Sequence, residues 1–103
     1  MALNHYLVGS QVVMVNTCMV RDPVTGDGTP TTPTSAIFTR VQPDGTTTTY
    51  TNGDPEVDNP TVGMMTCTVT VDKVGEEKWR CDTLGSCQSA SEDVFKVERS
   101  VVV

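Results

Sequence analysis

Few residues in this 103-residue chain are equipped for chemistry: one histidine, His5, four cysteines at 18, 67, 81 and 87, and acids that cluster in turn-forming stretches. Covalent or acid–base catalysis needs a nucleophile, a base and an orienting group within mutual reach. His5 stands at the start of the chain, away from the other candidates, and the expectation is a protein that is not an enzyme. No cysteine pair has the C-x-x-C spacing of zinc or redox sites. Four cysteines allow about three full disulfide connectivities, and spacing does not choose among them. Buried free thiols, packing as small hydrophobes, rank first; a Cys67–Cys81 bridge comes second and a metal site last. Asp22 and Asp27 invite a calcium reading, but calcium takes about six to eight oxygens and the EF-hand spacing is missing, so both read as solvated turn carboxylates. No cofactor is implied.

The elements that would position these residues are strands. From Met64 to Asp72, apolar Met65, Cys67, Val69 and Val71 alternate with Thr66, Thr68 and Thr70, the period of a half-buried strand. Gly75 offers a reversal, and Lys78 to Cys81 resumes the alternation with Trp79 and Cys81 on one side. This reads as a β-hairpin with Trp79, the side chain able to bury most apolar area, at the centre of the core. Val69, Val71 and Phe95 are the further core anchors.

Elsewhere, Gln11 to Val20 is a strand with apolar residues on both faces. Its inward set is either Val12, Met14, Cys18 and Val20 or Val13, Val15 and Met19. Both choices leave apolar side chains outside, which makes Val13, Val15 and Met19 candidate assembly contacts. Arg21 to Thr34 reads as a long surface loop. Ser35 to Gln42 sets Ile37, Thr39 and Val41 opposite Ala36, Phe38 and Arg40, and Pro43-Asp44-Gly45 turns it into a poorly covered edge strand, Thr46 to Thr51. Asn52 to Gly63 and Asp82 to Asp93 read as two more loops. Val94 to Arg99 is a closing strand with Phe95 and Val97 on one face, and Val101, Val102 and Val103 form an apolar end that is also a candidate assembly contact. The division is an N-terminal arm, 1–10, a sandwich domain, 11–100, and an apolar tail, 101–103. About seven short strands with turns every 8 to 12 residues predict an all-β fold, a single immunoglobulin-like or fibronectin-like β-sandwich.

Charge and composition narrow the partners. The net charge is −6 and the basic residues are scattered singly, whereas phosphate binding needs clustered lysine and arginine, so no nucleic-acid partner is expected. No run approaches the roughly 20 apolar residues of a membrane span, and the first residues lack the pattern of a signal peptide. The expectation is synthesis in a cytoplasm, with no membrane contact.

Val8-Gly9, Pro43-Asp44-Gly45-Thr46, Gly63, Gly75, Trp79, Phe95 and Val97 fall at matching points of a pattern spanning nearly the whole chain. In this pattern the chain resembles small β-sandwich structural proteins of tailed bacteriophage virions, departing from it at Ser10, Met65 and Val74. The resemblance implies a virion protein made in the host cytoplasm: a capsid decoration or cement protein held by protein–protein contacts, or alternatively a neck (head–tail connector) or tail component. Its partners would be the major capsid protein or connector and tail proteins, with homo-oligomerisation in the particle. A different reading takes the loops Arg21 to Thr34 and Asn52 to Gly63 as the recognition surface of a binding module for a host-cell or glycan ligand.

Overall fold

Alternating β-branched and polar residues commit the chain to strands that are dry on one side and wet on the other. The computed structural model describes residues 4–99, and among these there are ten strands and no helix. They are β1 (Asn4–Leu7), β2 (Gln11–Thr17), β3 (Met19–Arg21), β4 (Gly28–Pro30), β5 (Ser35–Val41), β6 (Thr47–Thr51), β7 (Val57–Thr61), β8 (Met64–Thr70), β9 (Gly75–Leu84) and β10 (Ser89–Glu98). A five-stranded sheet has the order β1-β10-β9-β5-β6 and a three-stranded sheet the order β2-β8-β7, while β3 and β4 form a separate ribbon.

The two larger sheets share one core. Val12, Met14, Met65, Cys67 and Val69 come from the three-stranded sheet; Ala36, Phe38, Cys81, Phe95 and Val97 come from the five-stranded sheet. Phe38 is the largest fully buried side chain. Each valine, methionine or phenylalanine among them taken from water contributes about 1.5–3 kcal/mol, so this shared layer is what binds the sheets together.

Pairing departs from the sequence expectation in instructive ways. Met64 to Cys81 is not a hairpin: β8 and β9 lie in different sheets, and Val71 to Val74 crosses between them. Stacking places the inward faces of the two strands against one another, which buries Cys67, Val69 and Cys81 more completely than side-by-side pairing would. The crossover is pinned at its end. Gly75 has φ +133°, and a Cβ there would sit 2.8 Å from the Pro43 side chain of the β5–β6 turn.

Trp79 does face inward, but it is only half-buried at the margin of the core, its ring 6.2 Å from that of Phe38. Three strands do not cover five, and register places Trp79 between Arg40 and exposed Asp93 rather than among apolar neighbours. Val69, Val71 and Phe95 are buried as expected.

Each of the expected loops contains strand. Arg21 to Thr34 contains the end of the β3–β4 ribbon, Asn52 to Gly63 contains β7, and Asp82 to Asp93 is mostly the paired ends of β9 and β10. Their threonines, serines and acids look like loop residues because one or both faces are wet. The expected arm likewise contributes β1, parallel to β10, with Tyr6 packed edge-on against Phe95 at 5.3 Å. The turn at Pro43-Asp44-Gly45 and the edge position of β6 are as expected.

Cys18 lies at the break between β2 and β3 and is bridged to Cys87 in the β9–β10 turn, while Cys67 and Cys81 are free and buried. The expectation of four thiols therefore fails for one pair. This bridge ties the two sheets at one end, beside Asn16, whose amide donates to the Ser89 hydroxyl at 3.1 Å. Closing a sequence separation of 69 residues removes unfolded-chain entropy worth about 4 kcal/mol in the chain-entropy model. Since the other thiols are already free, reductant acts on this bridge alone. Thermal melts with and without reductant should show a midpoint lower by roughly 15 °C or more on reduction; equal midpoints would remove the bridge from the fold's stability.

Candidate functional site

Several of the chain's titratable groups are engaged in holding the fold. His5 Nδ1 lies 2.9 Å from Glu98 Oε1 across the β1–β10 pair, and both side chains are exposed. Among the described residues, no three histidines, cysteines or acids gather as a metal site. Asp22 accepts from the Val24 and Thr25 amides, which hold its carboxyl below the usual range; it organises the ribbon's turn. Asp44 is held well below the ordinary carboxylate range by the Lys73 ammonium, 2.9 Å away, aided by the Thr46 amide. This exposed pair joins the β5–β6 turn to the β8–β9 crossover.

The most secluded polar group is an ion pair. Arg40 on β5 donates through Nε to Glu77 on β9, and through Nη2 to the Thr70 carbonyl of β8 at 3.3 Å, with Arg40 5% and Glu77 1% exposed. Burial pulls the Arg40 pKa down, but hydrogen bonds and charge from Glu77 and Tyr50 outweigh it and hold it above its ordinary value. The guanidinium thus fastens one sheet to the other, and removing a single partner would strand a charge at a cost of about 3–5 kcal/mol. Its signal was present in the sequence: Arg40 keeps the same parity as Ala36 and Phe38.

A shallow groove of about 190 Å3 lies along the five-stranded sheet, lined by Thr39, Val41, Lys78, Trp79, Arg80 and Glu92. Arg80 within it is already held by Asp82 at 2.9 Å and Glu92 at 3.4 Å.

The two outer faces differ in kind. Along the five-stranded sheet, Glu76, Lys78, Arg80 and Asp82 alternate with inward residues of β9, and Glu92 and Lys96 do so on β10. On the three-stranded sheet, register sets Gln11 beside Thr70, Val13 beside Thr68, Val15 beside Thr66 and Thr17 beside Met64. None of these eight carries a charge. Val13 is 54% and Val15 42% exposed, because the inward set of β2 is Val12, Met14 and Asn16, followed by Cys18. Val20, grouped with that set from sequence, is instead 47% exposed in β3, next to Met19 at 46%. Val62, in the β7–β8 turn, adds an exposed side chain that sequence reasoning passed over, its place inside an apparent loop hiding it. Val101, Val102 and Val103 lie outside the described residues. The candidate site is therefore an uncharged contact surface on β2 and β8, continued by the exposed Met19 and Val20. No family model, curated protein or solved structure matches the chain.

The free cysteines are poor nucleophiles. Burial pushes the Cys67 thiol up to about 11 and the Cys81 thiol up to about 12, with nearby acids, Glu56 and Asp82 respectively, adding to the effect. Folding keeps these thiols protonated where the unfolded chain, near pH 9, would lose them. Their contribution to stability is thus full below about pH 9 and is lost as pH rises toward 11 and 12. Denaturant midpoints should be level in this respect from pH 7 to 8.5 and fall above pH 9, and replacing both thiols with alanine should flatten the fall. An unchanged fall in that variant would assign it to other groups.

Proposed function

We propose that this chain is a non-enzymatic structural component of a tailed bacteriophage virion, an immunoglobulin-like sandwich of the decoration or cement type that stabilises the shell by protein–protein contact. The fold reading is supported by strand order. The series β2-β8-β7 facing β10-β9-β5-β6 follows the B-E-D and G-F-C-C′ order of variable-type immunoglobulin domains. The virion reading rests on the resemblance of the turn and core residues Val8-Gly9, Pro43-Asp44-Gly45-Thr46, Trp79, Phe95 and Val97.

One observation carries the mode of action: the exposed, charge-free face of β2 and β8 on a chain of net charge −6. Contact through β2 and β8 buries no charge of these two strands, and burying valines and threonine methyls there gains about 25 cal/mol per Å2. A few hundred Å2 per copy is modest, but many copies on a symmetric shell act together.

Shells assembled without this chain should bind the purified protein saturably in co-sedimentation and melt at higher temperature once occupied. Thr66→Arg with Thr68→Arg, which puts bulky charge in the middle of the face, should lower occupancy at least tenfold, whereas Lys78→Glu on the opposite outer face should leave it unchanged. Equal loss from both variants, or no binding by the parent chain, would overturn the reading.

A further inference from the structure

Sheet edges are where a β protein invites or refuses another chain. Of the edge strands in the two larger sheets, β1 is short, with four residues and the His5–Glu98 pair beside it. The edge at β7 carries Pro60 and a register shift between Asp58 and Thr61. At β6 the Thr51 amide is already bonded to the Asp54 carboxylate at 2.8 Å. The edge at β2 is different. It is seven residues long, regular in register against β8 and without charge or proline, and no strand among the described residues pairs with its outer side.

Its hydrogen-bonding pattern can be read from both ends. Val71 N donates to Ser10 O before the strand, and Cys18 N donates to Gly63 O after it. Antiparallel alternation between these points turns the backbone groups of Val12, Met14 and Asn16 toward β8 and those of Gln11, Val13, Val15 and Thr17 outward. The outward set is symmetric about Met14. A two-fold axis through Met14, normal to the sheet, maps it onto itself: Gln11 meets Thr17 of a second copy, Val13 meets Val15, and the outward amides and carbonyls form about eight hydrogen bonds. An axis at Val13 or Val15 instead leaves Thr17 or Gln11 without a partner on β2, so one register is selected.

The side chains fit this register. Val13 and Val15 of both copies, 54% and 42% exposed in the single chain, gather around the axis on the outer face, and no like charges stand opposite one another along the pair. The other layer leaves room. There β1 pairs with Phe95–Glu98, toward the Gln11 end of β2, whereas Asn16 near the other end bonds to Ser89 and Ser91. The axis therefore sets the two β1 strands at opposite ends of the joined edge.

We propose that β2 pairs antiparallel with β2 of a second copy about Met14, joining two three-stranded sheets into one continuous sheet, β7-β8-β2-β2-β8-β7. The contact is isologous and occupies the edge of both copies, so it closes as a dimer. It goes beyond the shell reading and rests on the backbone register of β2; the outer face of β2 and β8 stays uncovered in the dimer and doubles in width. Seven residues a side fall short of the roughly 20–30 of a standard-size interface, so the dimer forms as concentration rises.

Sedimentation equilibrium of the full chain, combined with residue-resolved amide exchange, tests this. In about 0.5 M salt, which screens two chains of net charge −6, the parent should pass from monomer to dimer as concentration rises into the millimolar range. The Val13, Val15 and Thr17 amides should exchange roughly tenfold more slowly in the dimer, while those of Val12, Met14 and Asn16, already turned to β8, change less. Val15→Pro should stay monomeric, since the Val15 amide faces outward and proline there removes no bond within the fold. If it fails to fold, Val13→Asp with Val15→Asp sets carboxylates of both copies around the axis and should stay monomeric too. A parent chain monomeric throughout, a dimer of either variant, or a dimer without slowing at the outward amides would each overturn the inference. Slowing at those amides only on shells would overturn it as well, assigning the edge to a strand of the shell. The two readings fail separately: a parent chain that dimerises in this way yet ignores shells retires the shell reading alone, while one that coats shells as a monomer retires the dimer alone.

Discussion

Three strands stacked on five is the constraint from which most of the molecule follows. The narrower sheet cannot cover the wider one, so the dry layer is limited to the positions beneath β2, β8 and β7. Phe38, Phe95, Val97 and Cys81 fall inside it; Trp79 falls at its margin and Asp93, of the same parity as Phe95, lies outside it. Beyond that margin the inward face must be satisfied by polar means. At one end Asn16, Ser89, Ser91 and Thr83 bond to one another beside the Cys18–Cys87 bridge. Farther along, Arg40 and Glu77 neutralise one another and reach the Thr70 carbonyl. No buried side-chain nitrogen or oxygen among the described residues is left without a partner.

The same asymmetry sorts the surface. The wide sheet exposes interleaved charges that bond to one another, as Arg80 does with Asp82 and Glu92. Such a face is satisfied in water. The narrow sheet exposes valine and threonine on β2 and β8, with the acid Asp58 of β7 beside Thr66, and among the described residues no strand pairs with the outer edge of β2, a combination that invites contact with another chain. On a strongly acidic chain, repulsion between copies opposes accidental contact through this face.

The alternation of β5 and β8 was plain in the sequence, as was the β5–β6 turn, because period 2 and a Pro-Asp-Gly turn are local signals. Pairing partners were not. Whether β8 turns back on β9 beside it or crosses above it depends on Val71 and on the Pro43–Gly75 contact, which join residues about thirty apart. Trp79 looked central because size was the only guide to burial. The strands hidden in apparent loops, β4 and β7, were missed since nearly every position in them is exposed and so they lack a period, and β3 was read as a continuation of β2. Cys18 and Cys87 were far apart in sequence, and no spacing rule connects such a pair. For the contact surface, Val13, Val15 and Met19 were legible as apolar residues with no room inside; that their neighbours on β8 are uncharged emerged only from register.

Hydrogen–deuterium exchange of the shell-bound chain against the free chain tests the central claim, that the β2–β8 side is the face that meets the partner. The account predicts slowed exchange on binding in peptides covering residues 11–21 and 64–70, with residues 35–41 and 76–82 unchanged. Protection concentrated on the charged sheet, with 11–21 exchanging as in the free chain, would contradict it.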